Sequence, residues 1–299
     1  MSNKKDQKNQ FIFLSREHIN VDKWNACINN SIKKSIYGDI WFLDAACSNW
    51  GGVIMNDYEA VMPISFFKKY GLKFGISPYY VQKTGIYSSF ELSQDVINCF
   101  YKKIPSRFLI MGAYDFCVPE FGIRKINSRA NYELSLTNDY KTNYSNYSSH
   151  TKSNVKRSNK NNLTIENTND VLWFCDFANK NRRFVLPETE KESLFRIVTN
   201  ALNNNLGEIL ICKNMQSETI AALFVIKSDN RIYYHSPVAN AEGYKNRAVY
   251  FMVDYLIKKY SKTQTIIDFE GSNIESIARF FRGFGAANKA YSKIQMFKI

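Results

Sequence analysis

Three strand-like runs, residues 209–213, 219–227 and 231–238, follow one another closely and constrain the fold more than any other part of the chain. The separators, residues 214–218 and 228–230, are short and turn-like, so neighbouring runs are antiparallel and form a meander. An amphipathic helix comes next, with Ala248, Phe251, Met252, Tyr255 and Leu256 on one side. Residues 265–269 then read as an apolar, buried strand. A meander that feeds a helix and then another strand requires a mixed sheet with helices on both faces.

The flanks fit this scheme. Upstream, residues 163–166 read as a short strand, and Val171, Phe174, Cys175 and Ala178 as one face of a helix. Pro187 opens a second helix carrying Leu194, Ile197, Val198, Ala201 and Leu202. Downstream, Ser272-Asn273-Ile274-Glu275 reads as a capping box, with Ile274, Ile277, Ala278 and Phe281 as the apolar face behind it. Gly283 and Gly285 stop that helix, and residues 291–297 read as a closing strand. In the first half, helices are expected at residues 21–32 and 93–104. Strands are expected at 40–44, 50–55, 60–66, 108–111 and 132–136. The fold class is therefore α/β with a mixed sheet. The element order of the second half resembles that of the GNAT acyltransferase fold.

The net charge of +13, from 40 Lys+Arg and 27 Asp+Glu, raises the question of a polyanion partner. The chain also holds 32 Asn and 28 Lys, a bias that an AT-rich genome would give. What stands out is local: residues 141–162 carry Lys141, Lys152, Lys156, Arg157 and Lys160 and no acid. If helical, the last four make one basic face. No zinc-finger spacing or RNP-like motif points to sequence-specific nucleic-acid recognition. The 6 cysteines, Cys27, Cys47, Cys99, Cys117, Cys175 and Cys212, form no CxxC pair and read as free thiols. No apolar run approaches the ~20 residues of a membrane helix, so no span is expected. Residues 1–10 have no apolar stretch of a signal peptide and read as a frayed tail; a cytoplasmic location is the expectation.

Residues 268–274 (Asp-Phe-Glu-Gly-Ser-Asn-Ile), residues 278–286 and Tyr291 together resemble the C-terminal signature of FemAB-like proteins of the GNAT superfamily. Tyr234-His235-Ser236-Pro237 leading into Asn246-Arg247-Ala248 fits the same family. So do Asn154, Lys156, Arg157, Lys160 and Leu163 within its basic run. In the first half, residues 37–44, 58–63, 77–80 and 84–86 are similar to the family's N-terminal lobe. The resemblance implies two GNAT-like lobes in tandem, placed at residues 11–145 and 146–299.

It also implies chemistry: transfer of an acyl group, with acetyl foremost, from acyl-CoA to a small-molecule or peptide amine, with no metal. Such a reaction needs backbone N–H groups for a pyrophosphate, a polarised carbonyl and a base for the amine proton. Glu270, Tyr291 and His235 are the catalytic candidates. Glu270 ends a buried strand, Tyr291 lies where GNAT enzymes place a tyrosine acid, and His235 is one of 3 histidines. Ser236, Lys245, Asn246, Arg247 and Arg282 are the candidates for holding the donor. The superfamily's glycine-rich pyrophosphate pattern is not met at Gly243 and Asn246. Lys245 and Arg247 would supply charge instead. Tyr79, Lys156 and Arg157 are the substrate-binding candidates. The Fem resemblance implies an alternative, a transferase that moves an amino acid from aminoacyl-tRNA to a peptidoglycan-precursor peptide. A third reading is a non-catalytic, GNAT-like binding protein.

Overall fold

The structure is a computed structural model that describes residues 9–70, 72–105, 108–114 and 118–298. Cys117 and all but the last two residues of the expected tail lie outside the described residues. The chain divides into two compact units, residues 1–128 with 291–299, and residues 129–290. This differs from a division after residue 145. The closing strand belongs to the first unit, and the strand expected at 132–136 belongs to the second.

The first unit holds β1 (Phe11–Ser15), α1 (Val21–Asn29), α2 (Ile40–Ala46), β2 (Trp50–Met55), β3 (Ala60–Ser65), β4 (Phe67–Lys69), β5 (Leu72–Ile76), β6 (Tyr87–Ser88), α3 (Gln94–Lys103), β7 (Phe108–Tyr114) and β8 (Ile123–Arg129). The second runs β9 (Tyr132–Ser135), α4 (Tyr140–Ser145), α5 (Ser149–Asn159), β10 (Thr164–Thr168), α6 (Val171–Asn181), α7 (Glu188–Asn203), β11 (Gly207–Lys213), β12 (Thr219–Ser228), β13 (Arg231–Ala239), α8 (Ala241–Lys245), α9 (Ala248–Tyr260), β14 (Ile266–Asp268), α10 (Glu275–Gly283) and β15 (Ala287–Asn288). The last strand, β16 (Tyr291–Lys298), returns to the first unit.

Among the described residues the first unit carries a 4-stranded sheet, β1-β2-β3-β6, and a 5-stranded sheet, β4-β5-β7-β16-β8. α3 packs Ile97, Phe100 and Tyr101 into one core with Val53, Met62 and Ile64 of the smaller sheet. That core also takes Ile294 and Met296 from β16, so the chain's last strand shares it. Residues 40–46 are helical, not a strand. Ile40, Phe42, Leu43, Ala45 and Ala46 are all buried, and only Asp44 faces out, where it pairs with Arg16 at 2.8 Å. A short segment buried nearly all round shows no period that separates helix from strand.

The second unit is built on a 7-stranded sheet, β10-β11-β12-β13-β14-β9-β15. β11, β12 and β13 form the expected antiparallel meander, and β10 adds to it as an antiparallel edge strand. The only parallel pairing among its described strands joins β13 to β14, across the helix α9. One face of the sheet presents Leu223, Val225, Tyr234, Ile267 and Phe269 to a core completed by α9 and α10. Gly243 is explained by close packing: a Cβ there would lie 2.2 Å from the Ile220 carbonyl oxygen, so glycine lets α8 lie directly on β12. α10 begins at Glu275, later than the capping box suggests. Ser272 Oγ accepts from Ile274 N–H at 3.0 Å and closes a local turn, while Asn273 Oδ1 accepts from Ala130 N–H at 3.1 Å. Ser272 is spent on that turn and Asn273 on the distant Ala130 amide, and the helix starts without a side-chain cap. No helix among the described residues is long and apolar enough to cross a membrane.

Candidate functional site

Two departures from regular sheet geometry build the site. The first is in β13. Phe224 of β12 pairs with Ser236 and Val225 with Tyr234, so His235 is an extra residue in a β-bulge. Bulges re-aim side chains, and here His235 and its neighbour Ser236 both reach the α6 side of the sheet. The His235 ring meets Phe224 edge-on at 5.9 Å, and Phe224 packs on Phe174 of α6. Ser236 Oγ accepts from Arg182 Nη2 at 2.7 Å, just past the end of α6.

The second departure is in β14. Its parallel ladder with β13 ends at the Tyr233–Asp268 pair. The next amide, Phe269 N–H, donates to the Tyr132 carbonyl of β9, so the pairing with β9 continues one residue beyond the ladder with β13. The chain then turns through two left-handed residues, Glu270 (φ 56°) and Gly271 (φ 76°). Gly271 is required: a Cβ would lie 2.1 Å from the Ala130 carbonyl oxygen. A left-handed glutamate is unusual, and such outliers gather at functional sites.

Just beyond the end of that ladder, Glu270 and His235 meet. His235 Nδ1 lies 3.0 Å from Glu270 Oε1 and 3.1 Å from Oε2. The imidazole is almost fully enclosed, at 1% side-chain exposure, while the carboxylate is 16% exposed. Alternation along β14 turns Asp268 and Glu270 away from the core that holds Ile267 and Phe269. Asp268 is buried and accepts from Glu270 N–H at 2.9 Å, and its other oxygen accepts from Arg231 Nη1 at 2.9 Å. Arg231 also pairs with Glu133 of β9 at 2.8 Å. Burial disfavours the guanidinium charge, but Asp268 and Glu133 outweigh that and hold the Arg231 pKa above its ordinary value. Asp268 is thus a strut. It fixes the backbone of Glu270 and is itself fixed by Arg231.

The expected donor-holding residues divide. Ser236 adjoins the His235–Glu270 pair. Lys245, Asn246 and Arg247 sit together at the α8–α9 junction. Asn246 donates from Nδ2 to Glu242 Oε1 at 2.6 Å, and the strongly exposed Lys245 lies 3.8 Å from Glu242. Arg247 is left-handed, with φ 60°, and donates from Nη1 to the Tyr244 carbonyl at 3.1 Å, while its Nε is buried with no hydrogen bond. Arg282 is committed elsewhere, to the Tyr132 hydroxyl at 2.9 Å and to Glu275. Lys156 and Arg157 are exposed on α5, whose other face buries Thr151, Asn154, Val155 and Ser158. Tyr291 and Tyr79 belong to the first unit. Lys83 Nζ lies 6.0 Å over the Tyr291 ring, and Tyr79 packs edge-on against Tyr80 at 4.8 Å.

Sequence reasoning passes over Arg182, Arg231 and Glu133. Arg182-Arg183 directly after the apolar period of α6 is the one sequence signal for the first of these. Arg183 also lies over the Tyr244 ring, at 5.4 Å. Among the described residues no group of His, Cys, Asp and Glu could hold a metal ion. Chemically, the pair offers a partly exposed carboxylate, oriented by a buried imidazole just beyond the end of the β13–β14 ladder.

No family model matches the sequence, and no curated protein is similar to it in sequence. Solved structures do match. FemX shares 9% identity, with 94% of this chain and 97% of that one covered, at a TM-score of 0.64. L-PGS from Bacillus licheniformis shares 11% identity, with coverage of 93% and 92%, at a TM-score of 0.55. A tandem GNAT protein from the clavulanic acid biosynthesis pathway shares 8%, with coverage of 96% and 98%, at a TM-score of 0.50. The fold is therefore that of FemAB-like, tandem GNAT proteins. Identities this low carry the fold and nothing finer.

Proposed function

We propose that this chain is an N-acyltransferase in which Glu270 is the base and His235 its positioning residue. The observation that supports this most is the Glu270–His235 contact just beyond the end of the β13–β14 ladder. The amine nitrogen forms a bond to the acyl carbon, the bond from that carbon to its carrier breaks, and the departing atom leaves with its electron pair. The proton lost from the attacking nitrogen goes to Glu270, whose carboxylate is the more exposed member of the pair. The left-handed turn at Glu270 and the Asp268 strut keep that carboxylate in place without help from substrate.

Acyl-CoA is the proposed donor, with Arg247 and Lys245 meeting its phosphates where other GNAT proteins use glycine backbone. The exposed basic face of α5 favours a second reading, an aminoacyl-tRNA donor as the Fem resemblance implies, with Lys156 and Arg157 on the RNA phosphates.

Thermal shift beside acetyl-CoA, uncharged tRNA and aminoacylated tRNA separates the two, because a ligand of the folded state raises Tm. A shift with acetyl-CoA alone supports the first. A shift with charged tRNA, lost in Lys156→Glu/Arg157→Glu, supports the second. With the donor so chosen, Glu270→Gln lowers kcat at least about 100-fold at unchanged Tm. His235→Asn lowers kcat while KM stays put, as expected of a residue that orients the base. Near-normal turnover of Glu270→Gln reduces the carboxylate to a structural acid.

A further inference from the structure

The hairpin of β4 and β5 is unlike the rest of the first unit. The chain from residue 60 to residue 90 contains no acid and four lysines, Lys68, Lys69, Lys73 and Lys83. Phe67 pairs with Phe74 and Lys69 with Leu72, and Tyr70 follows the last paired residue of β4. Tyr70 takes a left-handed conformation there, with φ 50°. It is 89% exposed, and Phe67 on the edge strand is 40% exposed.

Lysines on an edge strand have a mundane use, since they discourage pairing with another chain. That accounts for the charge and leaves the two exposed rings unexplained. Each exposed ring already has an intramolecular partner on one face. Lys69 Nζ lies 5.2 Å over Tyr70, and Phe67 stacks on Phe74 at 5.0 Å with an interplanar angle of 11°. One face of each ring is thus taken, which halves the surface on which the bases of a single-stranded nucleic acid could stack. Rings with an ammonium beside them suit a different solvent: aromatic side chains settle at the headgroup level of a bilayer, and lysines beside them meet the lipid phosphates.

We propose that the β4–β5 hairpin docks the protein on the surface of an anionic phospholipid bilayer, with Tyr70 and Phe67 in the interface and Lys69 at the headgroups. Charge complementarity carries the choice of partner, because juxtamembrane lysines gain from anionic lipid and the segment has no acid to oppose them. The contact is peripheral and shallow, made by a turn, and no spanning segment is involved. It does not depend on the transferase reading.

Co-sedimentation of the full chain with vesicles tests it. One set is phosphatidylcholine, and the other an equal mixture of phosphatidylcholine and phosphatidylglycerol. Binding is expected to the mixed vesicles only, and to weaken as salt is added. Tyr70→Ser and Lys69→Glu should each lower the apparent affinity, and together by at least about tenfold, with Tm unchanged because neither side chain is buried. Binding that is absent, indifferent to lipid charge, or untouched by both substitutions overturns the proposal. So does tighter binding to a short single-stranded RNA that the same substitutions abolish, which makes the hairpin a nucleic-acid contact.

Discussion

Asp254 and Glu208 show how differently two buried carboxylates behave in one unit. Asp254 lies inside α9, where Tyr147 and Tyr140 donate to it at 2.9 and 3.0 Å. Burial raises its pKa, and the two phenols offset only part of that. The folded state therefore holds the Asp254 proton more tightly than the unfolded chain does. Its contribution to stability is full below the ordinary value of 3.8 and is lost as pH rises through the raised folded value. Glu208 has the opposite sign. Burial raises its pKa, but Lys227 and Lys259 outweigh that and hold it below the usual carboxylate range. Its stabilisation is present at neutral pH and is lost as pH falls through that lowered value. Thermal unfolding of wild type and Asp254→Asn across pH checks the first case. The amide keeps an acceptor for the phenols, so the variant should match or exceed wild type at neutral pH and lose part of the decline above 3.8. A less stable variant at neutral pH would show that the carboxylate charge is favourable after all. The buried thiols of Cys27 and Cys175, both pushed up to about 11, and of Cys212, pushed up to about 12, are packing groups, as their spacing suggests.

At the scale of elements, the turn after β14 decides where Glu270 stands. Gly271→Ala would drive a methyl group into the Ala130 carbonyl and add strain at φ 76°. We expect a loss of about 2–4 kcal/mol in chemical denaturation, with activity falling further than stability because Glu270 moves with the turn. A variant as stable and active as wild type would mean the turn relaxes freely. The same region marks how far a sequence can be read. The meander and the helices around it were legible because their apolar periods are long and their turns short. Residues 40–46 were not, since a segment with one exposed residue has no period to show. Glu270 and His235 were each visible as candidates, yet their contact was not. It joins residues 35 apart through a bulge and a broken ladder, and neither leaves a pattern in side-chain type. Asp268 could be placed on the same side as Glu270 by alternation, but its partner Arg231 lies 37 residues upstream.

The whole molecule is an insertion. The second unit enters after β8 and leaves before β16, and both of those strands lie in the sheet of the first unit, side by side. Its own ends meet, because Asn288 of β15 pairs with Tyr132 of β9. A unit with adjacent ends and its own core should fold alone. Residues 129–290 expressed by themselves are therefore expected to melt cooperatively. The first unit without residues 291–299 should lose its cooperative transition, since Ile294 and Met296 leave its core. Circular dichroism melts of the two fragments check both halves; a molten 129–290 fragment would show that the inserted unit depends on its host.

The position of β16 has a consequence in time. Synthesis delivers β7 and β8 early, but the strand that lies between them is made after the entire second unit. Until then both flanking strands present an open edge, the kind that pairs with other nascent chains. The inserted unit can finish folding on the ribosome while its host waits, so the unit begun first is the one completed last. Slow release or premature termination would thus expose the sheet of the first unit, and misassembly in cells should begin there.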